Sequence, residues 1–293
     1  MHIRIISDMH IDVNATKSLE LNDRDTFTVV AGDVAGDPIV ASAWLKDNVR
    51  NGIVVAGNHI VYNRRHMTVE AIREHFAKEM PPTGNLTYLD CLAKDGVFCK
   101  EVDGILFMGS TLYTDYDSGY DPTKRIQRPL DDVMRQNMLN GRYFLNDFRF
   151  GRTTESFESD GSPTKLLPQH YLKWFRDTLC KFNDKLNEIE KADPQKQVVV
   201  VTHHCPSLKC IAPEYKGSAV NSSFVSDLDW FIEKHPSIKL WACGHVHNRF
   251  IFNVGQCLVV ANPRGYCRAG EDRSWNENLT VDSNTWKIME SEG

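Results

Sequence analysis

Short runs of consecutive apolar residues recur at 3–7, 27–31, 53–56, 105–109, 198–202, 238–243, 249–254 and 257–261, each bounded by Gly, Asn, Asp or Pro. Runs of this length, rich in Val, Ile and Phe, predict buried strands. Between them the period changes to that of a helix. The clearest case is 167–191, where Tyr171, Trp174, Phe175, Leu179, Phe182, Leu186 and Ile189 fall on one face. Such a stripe is read as core packing and not as a binding surface. Weaker helical periods predict helices at 40–50, 67–79 and 223–235. The segment 110–163 differs: it is polar, carries Tyr113, Tyr116, Tyr120, Tyr143 and Phe144, and has no strong period. It is expected to be an insertion, a cap-like segment over one end of the sheet, because long segments of this kind are usually functional or mobile. Residues 290–293 are expected to fray.

With 293 residues, the chain can bury a substantial core without disulfide staples, and a single domain over 1–293 is expected. Its apolar and charged fractions, 41% and 25%, are those of an ordinary globular protein. No apolar run approaches the length that crosses a bilayer. The N-terminal stretch reads as a first core strand and not as a signal peptide. Eight cysteines are scattered without a C-x-x-C pair, and Cys243 and Cys257 lie in apolar runs, where they read as small buried hydrophobes. Reduced thiols and a cytoplasmic location are expected. A net charge of −5 argues against a large nucleic-acid footprint, although a local basic patch stays open.

Five of the predicted strands end at once in residues that can bind a metal. They are followed by Asp8-Met9-His10, Gly32-Asp33, Gly57-Asn58-His59, His203-His204 and Gly244-His245-Val246-His247. In α/β sheets ligands gather outside the carboxyl ends of strands, so side chains placed there from several strands can converge on one point. Each piece alone is weak, since a lone histidine beside a strand is more often a hydrogen-bonded structural residue. Five such pieces at five strand ends form a set. Gly32, Gly57 and Gly244 each directly precede a proposed ligand, where close approach to a charged group leaves no room for a Cβ.

The order Asp-x-His, Gly-Asn-His and Gly-His-x-His, with Gly-Asp and His between them, resembles that of the calcineurin-like metallophosphoesterase superfamily from Asp8 to His247. The segments 109–115, 145–149, 202–206 and 262–266 look like a bacterial and phage subgroup of it. The resemblance implies an α/β fold, a two-sheet β-sandwich flanked by helices. It further implies that Asp8, His10 and His247 hold one metal, that Asn58, His203 and His245 hold the other, and that Asp33 bridges them. Carboxylate and imidazole suit Mn, which is expected first, with Fe, Zn or Ni as alternatives; the absence of cysteine from the set disfavours a thiolate zinc site. Two divalent ions bring four positive charges and the two aspartates return two, so phosphate is drawn to the pocket even in an acidic protein. Two metals held about 3.5–4 Å apart lower the pKa of a bound water from about 15.7 towards 7, giving a bridging hydroxide as nucleophile.

The resemblance makes His59 a proton donor to the departing alkoxide or a stabiliser of transition-state charge. Asp12 or Asp37 is expected to orient it. Many relatives carry an acid after Gly-Asn-His where this chain has Ile60, which puts the support of His59 in question. His204 is expected to support His203 without ligating. Arg264 is a candidate to hold a phosphate oxygen or, equally, a turn residue paired with a surface acid; Arg149 and Tyr113 are candidates for substrate contact. His2, His66, His75, His170 and His235 are placed on predicted surfaces and assigned no function. The expected activity is hydrolysis of a phosphomonoester or phosphodiester, with a small molecule favoured over nucleic acid as substrate. A metal-dependent nuclease is the nearest alternative and predicts a basic, aromatic-lined track. A non-catalytic interaction scaffold on the same fold predicts lost ligands, and none is lost here. A structural metal protein would close its site with four ligands, whereas this set leaves positions open.

Overall fold

The computed structural model describes residues 1–14, 26–94, 96–117 and 130–289, so Tyr120, the middle of the 110–163 segment and the tail expected to fray lie outside the described residues. In chain order the described strands are β1 (His2–Ile6), β2 (Thr26–Ala31), β3 (Gly52–Val55), β4 (Leu86–Tyr88), β5 (Cys99–Val102), β6 (Ile105–Ser110) and β7 (Arg152–Phe157). They continue with β8 (Pro163–Lys165), β9 (Gln197–Thr202), β10 (Ile238–Cys243), β11 (Phe250–Val254), β12 (Cys257–Ala261), β13 (Thr280–Asp282) and β14 (Lys287–Met289). The α-helices are α1 (Pro38–Asn48), α2 (Val69–Glu79), α3 (Asp132–Phe144), α4 (Asp147–Phe150), α5 (Pro168–Ala192) and α6 (Asp229–Lys234).

Two six-stranded sheets are ordered β14-β13-β1-β2-β3-β4 and β11-β12-β10-β9-β6-β5, and β7 pairs with β8 in a separate hairpin. The centre of each sheet is parallel, as in β1-β2-β3 and β6-β9-β10, and antiparallel strands lie towards the edges. The apolar runs are continuous because these central strands are covered on both faces. Val199 and Val201 pack between the sheets with Ile3, Ile5, Val29 and Val55, while Val198 and Val200 face the cluster that contains Phe175 and Phe182 of α5. On the other outer face, Ile6, Val30 and Val54 meet Leu45 of α1 and Ile72 and Phe76 of α2. The result is four layers, helix, sheet, sheet, helix, as the resemblance implied.

Register levels the strand ends that matter. Ile6 lies opposite Val30, Val30 opposite Val54, and Val201 lies opposite both Gly109 and Ala242. Helix α1 starts where Asp37 accepts hydrogen bonds from the Ile39 and Val40 N–H groups, ahead of Pro38, a start well suited to both residue types. Two expectations change. The helix expected at 223–235 is confined to α6, because Val225 bridges Cys205 in strand fashion and holds that part extended. The segment 110–163 contains α3, whose buried stripe is only Met134, Met138 and Gly141. Val133, Leu139, Tyr143 and Phe144 point outward on the same helix and blur its period.

Candidate metal centre

All seven expected ligands converge at the carboxyl ends of β1, β2, β3, β9 and β10. Asp8 Oδ1 lies 3.3 Å from His247 Nε2 and 3.9 Å from His10 Nε2, and the two imidazole nitrogens are 3.0 Å apart. On the other side, Asp33 Oδ2 is 3.1 Å from His203 Nε2, which is 2.9 Å from Asn58 Oδ1. Ligand atoms of Asp8, His10 and His247 lie within 4.8 Å of one another, and so do those of Asp33, His203 and His245. Asp33 also belongs to such a group with His10 and His59, so its carboxylate is shared between the two halves.

The local backbone is unusual. Asp8, His10, Asp33, His245 and His247 have φ of 52°, 43°, 54°, 71° and 53°, all in the left-handed region. A residue with a Cβ gives up roughly 1–2 kcal/mol there relative to an ordinary turn. Strain of this kind clusters at functional sites held by their surroundings. The glycines serve contact: a Cβ on Gly244 would lie 2.5 Å from Asp8 Oδ2, and one on Gly57 would run into the Asp33 carboxylate.

Whether these residues fit a cation pair is decided by their polar atoms. His245 Nε2 and His10 Nδ1 are buried without a hydrogen-bond partner. Buried polar atoms are ordinarily satisfied, and leaving one unsatisfied costs about 1–3 kcal/mol. His10 Nε2 and His247 Nε2 face each other at 3.0 Å, where a cation would take the lone pair of each once His247 has lost its proton. Several donors are also held from behind, as metal ligands usually are. His203 Nδ1 meets the Ala31 carbonyl oxygen at 2.8 Å, His247 Nδ1 meets Glu271 Oε2 at 2.6 Å, and Asn58 Nδ2 donates to Asp147 Oδ1 at 2.8 Å. Each leaves Nε2 or Oδ1 aimed into the cluster. The donor set fits.

Charge is distributed unevenly. Burial alone would raise the Asp33 pKa, but the His203 and His59 charges outweigh it and hold the carboxyl well below its usual value. Burial would lower His203, yet the Asp33 charge and its hydrogen bond push it up to about 9. Burial likewise opposes the hydrogen bonds from His247 to Asp8 and Glu271, which raise that imidazole to about 10. His10 is pushed down to about 4 by burial and His245 well below its usual range, so both present free lone pairs.

His59 stands beside the cluster with its side chain 17% exposed, its Nε2 3.9 Å from Asp33 Oδ2 and 3.4 Å from the Tyr266 hydroxyl. Its backbone N–H donates to Asp33 Oδ1 at 2.9 Å, and its ring packs on Tyr62 at 4.3 Å and His10 at 4.5 Å. The expected orienting acids are committed elsewhere: Asp12 accepts from the Gly36 N–H, and Asp37 caps α1 and pairs with Arg65. Tyr266 takes that place. Ile60 is buried in the core. His204 is also buried, donates from Nδ1 to the Thr111 carbonyl at 3.3 Å and packs on the His245 ring at 4.2 Å, closer than its 5.5 Å to His203. Its support therefore goes to His245.

The remaining candidates lie outside the centre. Arg264 is buried over the Trp275 ring, and Arg149 is exposed near Asn146. Tyr113 is buried against Tyr171 and Trp174. None of the three lines the cavity described below. His235, expected on a surface, is buried and meets Glu190 at 3.0 Å. Four residues were missed by sequence reasoning: Asp147, Glu271, Tyr62 and Tyr266. Asp147 accepts from Asn58, Tyr62 and Tyr171 and lies in the 145–149 segment that carried part of the resemblance. Behind the centre, Cys205, Cys210 and Cys243 bring three buried thiols within 4.8 Å of one another.

From the centre a cavity of about 450 Å³ opens outward, lined at its inner end by Asn58, His59, His245 and His247. No helix among the described residues is long and apolar enough to cross a membrane.

A two-sheet sandwich with this set of donors at its strand ends defines a metal-dependent phosphoesterase. The chain belongs to the calcineurin-like phosphoesterase family, which it matches over residues 1–249; it is a phosphoric ester hydrolase. No curated protein matches it. Among solved structures it is similar to the phosphopantetheinyl hydrolase of Mycobacterium tuberculosis, with 16% identity and a TM-score of 0.65 over 98% of this chain and 95% of that one. It is also similar to a dimetal phosphatase from Danio rerio, with 13% identity and a TM-score of 0.48 over 89% and 86%.

Proposed function

We propose that the chain, acting as one domain, hydrolyses a phosphomonoester or phosphodiester with two divalent transition-metal ions, manganese first among them. The observation that carries this reading is the Asp33 carboxylate, shared between donor groups on either side. Asp8, His10 and His247 would hold one ion, Asn58, His203 and His245 the other, and Asp33 both. When bound, such ions acidify a shared water for attack on phosphorus and neutralise the phosphate oxygens. The protein's own contribution is to fix the donors. Ala31, Glu271 and Asp147 hold the tautomers and the amide orientation that aim lone pairs inward.

His59 is the proton donor to the departing oxygen. It is the one imidazole of the group that both faces the cavity and belongs to neither proposed ligand set. The Tyr266 hydroxyl, 3.4 Å from its Nε2, holds the ring for that task, with the Asp33 carboxylate 3.9 Å from the same atom. A well-placed acid contributes roughly 10²–10⁴-fold.

The test is a panel of p-nitrophenyl phosphate, bis-p-nitrophenyl phosphate, cyclic nucleotides, single-stranded DNA and phosphopeptides on chelator-stripped protein resupplied with Mn, Fe, Zn, Ni or Mg. Activity returns with Mn or a similar transition ion on a small ester. Turnover of none of them under any metal would end the assignment. For His59→Ala, a larger loss is expected on alkyl phosphates than on p-nitrophenyl phosphate, and an equal loss on both would remove the donor role.

A further inference from the structure

The cavity leading from the metal centre has a composition that its phosphate end does not explain. Past His59 one wall is the turn between α3 and α4, with Leu145 and Asn146, and the other is the 210–225 loop, with Ile211, Ala212, Val220 and Phe224. Phe144 and Tyr215 also line it, and they are 64% and 54% exposed, so large apolar rings stand at its mouth. A large apolar side chain left in water beside a concave surface marks a binding site more often than an accident of folding.

Charge tells the same story. No lysine or arginine is among the described residues that line the cavity. Its two carboxylates are occupied, Asp147 by Asn58, Tyr62 and Tyr171, and Glu271 by His247 and the Tyr266 N–H. A second phosphate or a carboxylate on the substrate would enter with no cation to meet it. A neutral body can use the Asn248 amide, the Asn146 Nδ2 and the Asn221 Oδ1, on residues that line the same cavity.

We infer that this cavity is the subsite for the organic group of the ester, and that the group is uncharged and mainly apolar, an alkyl or aromatic alcohol of drug-like size rather than a sugar or a nucleoside polyphosphate. The inference rests on the hydrolase reading and deepens it. A volume near 450 Å³ falls within the range of about 300–1,000 Å³ that encloses molecules of that size. The alcohol oxygen sits at His59, and the chain runs outward between the two walls. Each methylene taken from water into such a site improves binding roughly threefold to fourfold.

The experiment is a series of n-alkyl phosphates from ethyl to octyl on the manganese-loaded full chain. Their alcohols differ little in acidity, so leaving ability is nearly constant along the series. We expect kcat/KM to rise about threefold per methylene and at least about 100-fold from ethyl to octyl, with glucose 6-phosphate near the ethyl value. A flat series, or a preference for the sugar phosphate, would overturn the inference while leaving the hydrolase standing. Ile211→Asn should lower the octyl-to-ethyl ratio about tenfold, and an unchanged ratio would place the chain elsewhere. Should no ester be cleaved at all, calorimetric binding of octylphosphonate against methylphosphonate still decides: tighter binding of the long chain supports the subsite, and equal binding overturns it.

Discussion

The two sheets contribute different chemistry to one site. The first, through the ends of β1, β2 and β3, brings all the oxygen donors, Asp8, Asp33 and Asn58, with His10 beside them; the second, through β9 and β10, brings only imidazoles, His203, His245 and His247. The difference extends to protonation. The carboxyls of the first sheet are held low, whereas His203 and His247 of the second are raised to about 9 and about 10. Neither sheet carries a complete set of donors, so a cation site exists only once the sandwich closes. Bound ions would then act as a tie between the sheets that the unfolded chain cannot offer, adding to stability by mass action.

The largest expected effect comes from breaking either half. Asp33→Ala and His203→Ala should each lower kcat/KM on p-nitrophenyl phosphate by at least about 10³-fold, and near-normal rates in one of them would assign the chemistry to a single sheet. A second test leaves the ligands and removes what holds them. Asp147→Asn on the first-sheet side and Glu271→Gln on the second should weaken manganese affinity about 10–100-fold in a calorimetric titration. Unaltered affinity would show that the ligands need no support. Proton competition gives a smaller, graded effect. Because protons must leave His203 and His247 before their nitrogens can ligate, manganese affinity should rise at least about tenfold per pH unit between pH 6 and 9, with proton uptake by the buffer. A pH-independent affinity would contradict the protonation contrast. The smallest effect separates strand ends from strand interiors. At His247, with φ of 53°, Gly should be more stable than Ala by about 1 kcal/mol in the metal-free chain, whereas at Val200 in β9 Gly should be the worse of the two. Thermal unfolding resolves the pair, and Ala the better residue at both positions would dismiss the strain.

The convergence of the candidate ligands was legible because each sits within a few residues of a predicted strand end, and strand ends in a parallel sheet lie together. The central strands were legible for a related reason, since burial on both faces leaves a continuous apolar run. What escaped was anything defined by a distant partner. Asp147 is 89 residues from Asn58, and Glu271 is 24 from His247; a carboxylate that works by accepting a hydrogen bond has no spacing of its own. The outer strands β4 and β14, and β13 next to β14, are three residues each, too short to show a pattern. Helix α3 escaped because its outward apolar residues outnumber its buried ones. One of them, Phe144, lines the cavity, where an exposed ring is useful to a ligand.

Asp147 has a consequence for any attempt to re-engineer the enzyme. It belongs to the polar segment between β6 and α5, yet it steadies Asn58 at the end of β3 and takes a hydroxyl from Tyr171 of α5. A loop transplanted from a relative to alter selectivity would have to bring an acid to that spot, or the graft would empty the site it was meant to retune. On the proposed assignments, selectivity and metal retention would run through one carboxylate, and directed evolution of the segment should find that position the least free to vary.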